Sequence, residues 1–465
     1  MKRRLLLVLA VLAAAAGPVW AAPCVGTLCN ADELSPVFAK LAKARTDRGA
    51  RPVHILQIGD SHTAGDAITG AWRDLLQARY GGGGRGVLAA GRPYAGYLTR
   101  GVTAAMSPGW RVNASFGAGS APLRPAIGVA GFSLTSTTPG ASMSLTSDGA
   151  QSFDRFVLCA IARPSAGALT VRIGLAESRF DLDSNTERPQ CRTFALDRPN
   201  AAVTVTASER PVTITSWATF RDDGGVVLSN VGVVGSQLVH FGRTDDAVLA
   251  EEFRSYRPDM IVLAYGTNEG FSPSVSPFGY ESTLRSAVGR LRRLAGNVPI
   301  LLLGAPDAAS RQPALLNNAP GSAIACSVPA VRVAMPAPVV VPAAIQPKVQ
   351  DMDATIAALA GEGGGVVPVA VPVAAPVAMV RPAVSGLFVP PGMKVVRDIQ
   401  RKVAGELGLA FWDWGARMGG ACSAPKWVRG TPARMRGDYV HFNSAGGRDI
   451  AARLQADLDA AGMGR

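Results

Sequence analysis

The chain is poor in the residues that metal and redox sites require. Among its 465 residues there are only four histidines, His54, His62, His240 and His441, and no two stand at metal-ligand spacing. Its six cysteines form no C-x-x-C pair, so neither a metal nor another cofactor is expected. Charged residues are scarce at 17% against 48% hydrophobic, which excludes a disordered polyelectrolyte. No run of Lys or Arg occurs beyond Lys2-Arg3-Arg4. The formal charge of +13 is therefore spread out and nominates no nucleic-acid partner, although a pI near 9.9 suits an anionic polymer or surface. Long uninterrupted apolar runs are also missing. Leu5 to Ala16 is too short to span a bilayer, and the Val/Pro-rich stretch from Val366 to Pro382 is broken by proline every four to six residues.

What the N-terminus does have is the grammar of export. A basic start, the short apolar run, and Val19-Trp20-Ala21 at its exit read as a secretory signal peptide cut after Ala21. Six cysteines, an even number, suit an oxidising compartment. Chain order suggests Cys24–Cys29, Cys159–Cys191 and Cys326–Cys422, one of about 15 connectivities that six cysteines allow. The expected location is periplasmic, with no membrane span left after cleavage.

Periodicity indicates an α/β chain with two interruptions. Val53 to Ile58 reads as a short buried strand and Met260 to Tyr265 as a continuous apolar one, and Pro299 to Leu303 and Ala410 to Asp413 are further candidates. Helical spacing follows at Ile68, Trp72, Leu75 and Leu76, at Leu284, Val288, Leu291 and Leu294, and at Ile450, Leu454 and Leu458. Buried strands alternating with amphipathic helices predict a parallel sheet covered on both faces, a three-layer α/β/α domain. From 113 to 225 the pattern changes to short alternating runs such as Leu169 to Ile173 and Val203 to Thr206, as expected of an inserted β-sandwich. A second interruption, 311–391, is Pro/Ala/Val-rich and reads as an extended low-complexity loop with a short helix near Asp351–Leu359. The expected division is thus 1–21 signal peptide, 36–112, 226–310 and 392–465 as three pieces of the α/β domain, 113–225 sandwich, and 311–391 insertion.

Polar residues gather at the strand ends. Gly59-Asp60-Ser61-His62 places a serine where a buried strand turns into a helix, whose free N–H groups suit an oxyanion. Taken alone, Ser61 could equally be a helix N-cap. At the next strand end, Gly266-Thr267-Asn268-Glu269 offers an amide able to donate to developing charge. Asp438-Tyr439-Val440-His441 puts a carboxylate three residues before an imidazole, close enough to orient it as a base.

In this order the three segments, with Val231-Gly232-Val233-Val234-Gly235-Ser236-Gln237 between the first two, resemble the SGNH (GDSL-type) hydrolases. The wider stretches Gly59 to Gly91, Asn230 to Glu269 and Phe411 to Gly447 are similar to periplasmic peptidoglycan O-acetylesterases, which also carry a sandwich resembling a carbohydrate-binding module. The resemblance implies Ser61 as nucleophile, His441 as base and Asp438 as its orienting acid. It implies an oxyanion hole made by the Ser61 and Gly235 N–H groups and the Asn268 side chain. The implied substrate is O-acetylated muramic acid in peptidoglycan, or another acetylated glycan. An acetyltransferase with the same acyl-enzyme and a glycan-binding wall protein are the rival readings. His54, His62 and His240 are expected to be structural, while Glu269 could be solvated or touch substrate. Trp72, Trp412, Trp414 and Trp427 are candidates for a glycan face, although core packing is the commoner fate of tryptophan.

Overall fold

The computed structural model describes residues 24–44, 46–47, 49–97, 99–117, 126–312, 323–328, 331–333, 379–381 and 384–463. The signal peptide expected at 1–21 and the helix expected at 351–359 lie outside the described residues. Among those described, no helix is long and apolar enough to cross a membrane.

A seven-stranded sheet organises the α/β part. Five of its strands are parallel, in the spatial order Val226–Gly232, Val53–Gly59, Met260–Ala264, Ile300–Leu303 and Ala410–Trp412. A short hairpin, Cys24–Val25 with Leu28–Cys29, adds an antiparallel edge beside Ala410–Trp412 and is closed by the Cys24–Cys29 disulfide. By chain order the parallel strands run 2-1-3-4-5. The connection therefore reverses direction between Val53–Gly59 and Met260–Ala264, leaving a crevice at their carboxyl ends.

Alternate residues of each strand feed opposite layers, which is why apolar residues recur on both faces of the strands. Ile55, Val262 and Leu301 pack with Leu41, Trp72, Leu76 and Leu454 from the helices Ser35–Ala44, Ala67–Tyr80 and Ser444–Ala460. Leu56, Ile261 and Leu302 face Leu249, Leu284 and Val403 from Asp246–Tyr256, Pro277–Ala295 and Pro391–Leu407. Trp72, Trp412, Trp414 and Trp427 are all buried, so none forms an exposed glycan face.

Two antiparallel sheets make the sandwich. One orders Ala176–Asp181, Ala168–Ile173, Ala202–Ala207, Ser142–Ser147 and Val102–Met106. The other orders Arg188–Asn200, Phe153–Ala162, Val212–Phe220, Phe132–Ser136 and Trp110–Ala114, with Gly86–Leu88 also paired to Val212–Phe220. The sandwich thus takes in strands upstream of residue 113, Gly86–Leu88, Val102–Met106 and Trp110–Ala114, which carry too few large apolar residues to announce themselves in the sequence. Cys159 and Cys191 face each other across neighbouring strands and are bonded. Glu252, on the helix Asp246–Tyr256, anchors the sandwich to the α/β layers. Its carboxylate accepts from Thr215 Oγ1, Ser216 Oγ and the Val129 N–H.

The base of the Pro/Val-rich insertion is not wholly loop. Ile324–Val328 pairs antiparallel with Val384–Val389, and Val331–Val333 with Met379–Arg381. Cys326 bonds to Cys422, beside the helix Ser423–Arg429, and ties this ribbon to the α/β part.

Candidate active site

Three strand ends converge at the crevice. Val53–Gly59 runs into a one-turn helix, Ser61–Ala64, whose N-cap Asp60 accepts from the His62 N–H at 2.9 Å. The strand and turn are close-packed here. A Cβ on Gly59 would lie 2.3 Å from Thr63 Oγ1 and 2.5 Å from the Ala264 carbonyl, so only glycine fits. The adjacent strand Val226–Gly232 is held to the same loop by the Val233 N–H donating to the Gly59 carbonyl at 3.1 Å. Asn230 Nδ2 donates to the Thr63 carbonyl at 2.9 Å.

Beneath this loop lies a buried charge cluster. Asp66 accepts from Arg73 and Arg85, each at 3.0 Å, and from Thr69 Oγ1 at 2.6 Å. The same two guanidinium groups donate to Asn230 Oδ1. Burial alone would raise the Asp66 carboxyl, but Arg73 and Arg85 pull it down to about 2. The cluster fixes the start of the helix Ala67–Tyr80 and, through Asn230, the turn that carries Ser61.

Ser61, His441 and Asp438 form one hydrogen-bonded chain. His441 Nε2 is 3.0 Å from Ser61 Oγ, and His441 Nδ1 is 2.8 Å from Asp438 Oδ2. The other Asp438 oxygen accepts from the Val440 and His441 N–H groups at 2.9 and 3.0 Å. Burial tends to raise this carboxyl, but the hydrogen bond and charge of His441 and the two N–H groups together hold it at about 2. An ionised carboxylate can only accept, so Nδ1 carries the hydrogen and Nε2 is left to accept from Ser61. The loop itself is pinned by the Arg436 N–H donating to the His441 carbonyl, and by Asn443, which caps the helix Ser444–Ala460. Asp438 and His441 keep side-chain exposures of 44% and 33%, so the pair opens to solvent.

Gly235 and Asn268 meet at the neighbouring strand ends. Gly235 adopts φ +76°, and a Cβ there would sit 2.7 Å from Phe116 Cε1. Asn268 Nδ2 donates to the Ser236 carbonyl at 2.8 Å, which uses one of its two hydrogens. Gln237 Nε2 returns a bond to the Asn268 carbonyl at 3.3 Å. The amide is therefore fixed beside the Gly235 turn with a second N–H to give.

The remaining histidines have structural roles. His54 lies between the Tyr256 carbonyl and Ser229 Oγ, and burial lowers it to about 4. His62 is buried against Trp414, Phe442 and the His441 ring; burial, then the charge of His441, lowers it to about 3. It walls the site as a neutral ring. His240 Nδ1 accepts from the Gln237 N–H, and its ring stacks on Phe116 at 4.4 Å. Two carboxyls behind the strand ends were not legible as buried. Burial raises Asp60 to about 6 and Glu269 to about 7. In Glu269 the only sequence signal was its place one residue after Asn268.

No family profile matches the sequence, and no curated protein matches it. Among solved structures, a peptidoglycan O-acetylesterase superposes with a TM-score of 0.64 at 22% identity, over 93% of this chain and 98% of that one. The fold is that of an SGNH hydrolase with an added β-sandwich. A GDSL-like lipase from Parabacteroides merdae (14% identity, TM-score 0.28, 50% of this chain and 74% of that one) and an acetyl xylan esterase (14%, 0.26, 50% and 80%) also match, but too loosely to bear on the argument. Ser61, Gly235 and Asn268 follow three adjacent strands, and Asp438 and His441 stand just before the last helix. Among the described residues, no group of three or more His, Cys, Asp or Glu is arranged to hold a metal.

Proposed function

We propose that this chain is an exported serine esterase that removes O-acetyl groups from peptidoglycan. The observation that carries the reading is the continuous chain from Asp438 through His441 to Ser61, in a crevice at the sheet's switch point. Ser61 Oγ attacks the acetyl carbonyl while His441 Nε2 takes its proton, and Asp438 stabilises the resulting imidazolium. The tetrahedral oxyanion accepts from the N–H groups of Ser61 and Gly235 and from the free N–H of Asn268. Collapse of the intermediate expels the sugar hydroxyl, which leaves with the proton from His441. A water then attacks the acetyl-Ser61 ester, again giving its proton to His441, and acetate departs as Ser61 recovers its hydrogen.

The substrate class rests on the whole-chain likeness to a peptidoglycan O-acetylesterase and on the +13 charge, which favours a carboxylate-bearing polymer. The three disulfides and the N-terminal sequence support a periplasmic location. The test is acetate released by purified protein from O-acetylated and from chemically de-acetylated peptidoglycan, with Ser61→Ala as control. Release from the acetylated polymer alone, abolished by Ser61→Ala, is expected. Absence of release, with a small acetate ester still cleaved, overturns the peptidoglycan assignment.

A further inference from the structure

The turn that carries Gly235 is built against the β-sandwich. Val233 to Ser236 form a four-residue turn, closed by the Ser236 N–H donating to the Val233 carbonyl at 3.1 Å. Gly235 takes its third place in the left-handed region, φ +76°. The turn reaches the surface, with Val234 45% exposed. What packs on Gly235 comes from the inserted domain. Phe116 stands two residues after the sandwich strand Trp110–Ala114, and Ser115 extends that hairpin by donating its N–H to the Gly131 carbonyl at 2.9 Å.

The Phe116 ring closes on Gly235 itself, where a Cβ would lie 2.7 Å from Cε1, and it stacks on the His240 ring at 4.4 Å. His240 Nδ1 accepts from the Gln237 N–H at 2.9 Å, and the Gln237 side chain donates to the Asn268 carbonyl at 3.3 Å. The ring thus bears on Gly235 directly and on Asn268 through His240 and Gln237. Two more contacts tie the same junction. Arg243 Nη1 donates to the Ser115 carbonyl at 3.0 Å, and a Cβ on Gly131 would lie 2.4 Å from Val233 Cγ2. Acyl transfer has no use for an aromatic ring as a reactant here. It does need donors held to within about 0.5 Å of the oxyanion's position, and a surface turn does not supply that by itself.

We propose that Phe116 is a positioning residue and that the sandwich is thereby part of the esterase site. Packed on Gly235 and His240, its ring holds the Gly235 N–H and, through Gln237, the Asn268 amide in place for the oxyanion. The inference rests on the esterase reading for the reaction, not on the identity of the polymer.

The test uses the full-length protein and a small acetate ester, which needs no glycan contact. Phe116→Ala is expected to lower kcat about 10–100-fold, the scale of a donor displaced by about 1 Å, with KM changed less than about threefold. Phe116→Tyr, which keeps the stacked ring, is expected to stay within about threefold of wild type. In the Phe116→Ala, Asn268→Ala double variant the loss should fall short of the product of the single losses, since both changes act on one oxyanion hole. The Gly235 amide, followed by NMR relaxation, should lose order in Phe116→Ala. Thermal unfolding reports the folded share of each variant. Wild-type kcat in folded Phe116→Ala, a rise in KM alone, a Phe116→Tyr variant as slow as Phe116→Ala, multiplicative losses in the double variant or unchanged Gly235 order each overturn the proposal. Loss of Gly235 order in Phe116→Ala, with ester cleavage absent or independent of Ser61, keeps the sandwich's hold on the turn and removes the esterase reading. Ser61-dependent cleavage at the wild-type rate in Phe116→Ala does the reverse.

Discussion

His441 Nε2 lies 3.0 Å from Ser61 Oγ although 380 residues separate them in the chain. The sheet makes the contact possible: the serine follows the strand Val53–Gly59, next to the Val226–Gly232 edge, and the histidine precedes the last helix, which packs on the helix after Ser61. If this pair performs catalysis, Ser61→Ala and His441→Ala should each lower kcat on a small acetate ester by about 10⁴-fold or more. Asp438→Asn should cost less, about 10²–10⁴-fold, because half-exposed Asp438 orients the base without reacting. Wild-type rates in a folded variant of any of the three would reject its role.

Asn268→Ala should lower kcat by about 10²–10³-fold with little change in KM, as loss of a donor used mainly by the oxyanion requires. A rise in KM at constant kcat would instead mean that Asn268 serves ground-state binding.

Asp66→Asn isolates the charge cluster. Asparagine tolerates the left-handed backbone at this position, φ +50°, so the change is chiefly one of charge. It leaves Arg73 and Arg85, both almost fully buried, without their carboxylate. The expected loss is about 3–5 kcal/mol, read by denaturant unfolding. A loss below 1 kcal/mol would show that Asn230 and the backbone suffice.

Glu269 should make stability fall as pH rises. Its folded value of about 7 lies above the ordinary 4.5, so between these limits the native state holds a proton that the unfolded chain releases. The slope is therefore negative across that window, with a total of about 3 kcal/mol. Glu269→Gln removes this slope while Asp60 and the other groups remain. The wild-type Tm minus the Glu269→Gln Tm should drop from pH 5 to pH 8, and a flat difference would contradict the buried, raised carboxyl.

The Cys326–Cys422 bond closes a sequence separation of 96 residues around the Pro/Val-rich insertion. Replacing both cysteines with serine should cost about 4–5 kcal/mol by loop-closure entropy. Unfolding under non-reducing conditions measures it; an unchanged midpoint would mean that the insertion is already constrained in the unfolded chain.

Much of this protein is written locally. The mostly apolar runs at Val53–Gly59 and Met260–Ala264, alternating with amphipathic helices, point to a buried parallel sheet, whose strands are covered on both faces. The Asp438–His441 spacing likewise acts within one turn of chain, so sequence alone implies its local geometry. Other features depend on what packs against them. The sequence offered Glu269 as either solvated or substrate-contacting, and only the tertiary fold buries it beside a cavity. Trp412 and Trp414 could have faced a glycan, but the layers close over them. Strands such as Val102–Met106 exist because partners in the sandwich complete their hydrogen bonds, not because their own residues insist on it. Sequence thus determined the elements and the chemistry available at their ends. The tertiary structure decided which of those ends meet and which groups lose water, because proximity and desolvation depend on contacts between residues far apart in the chain.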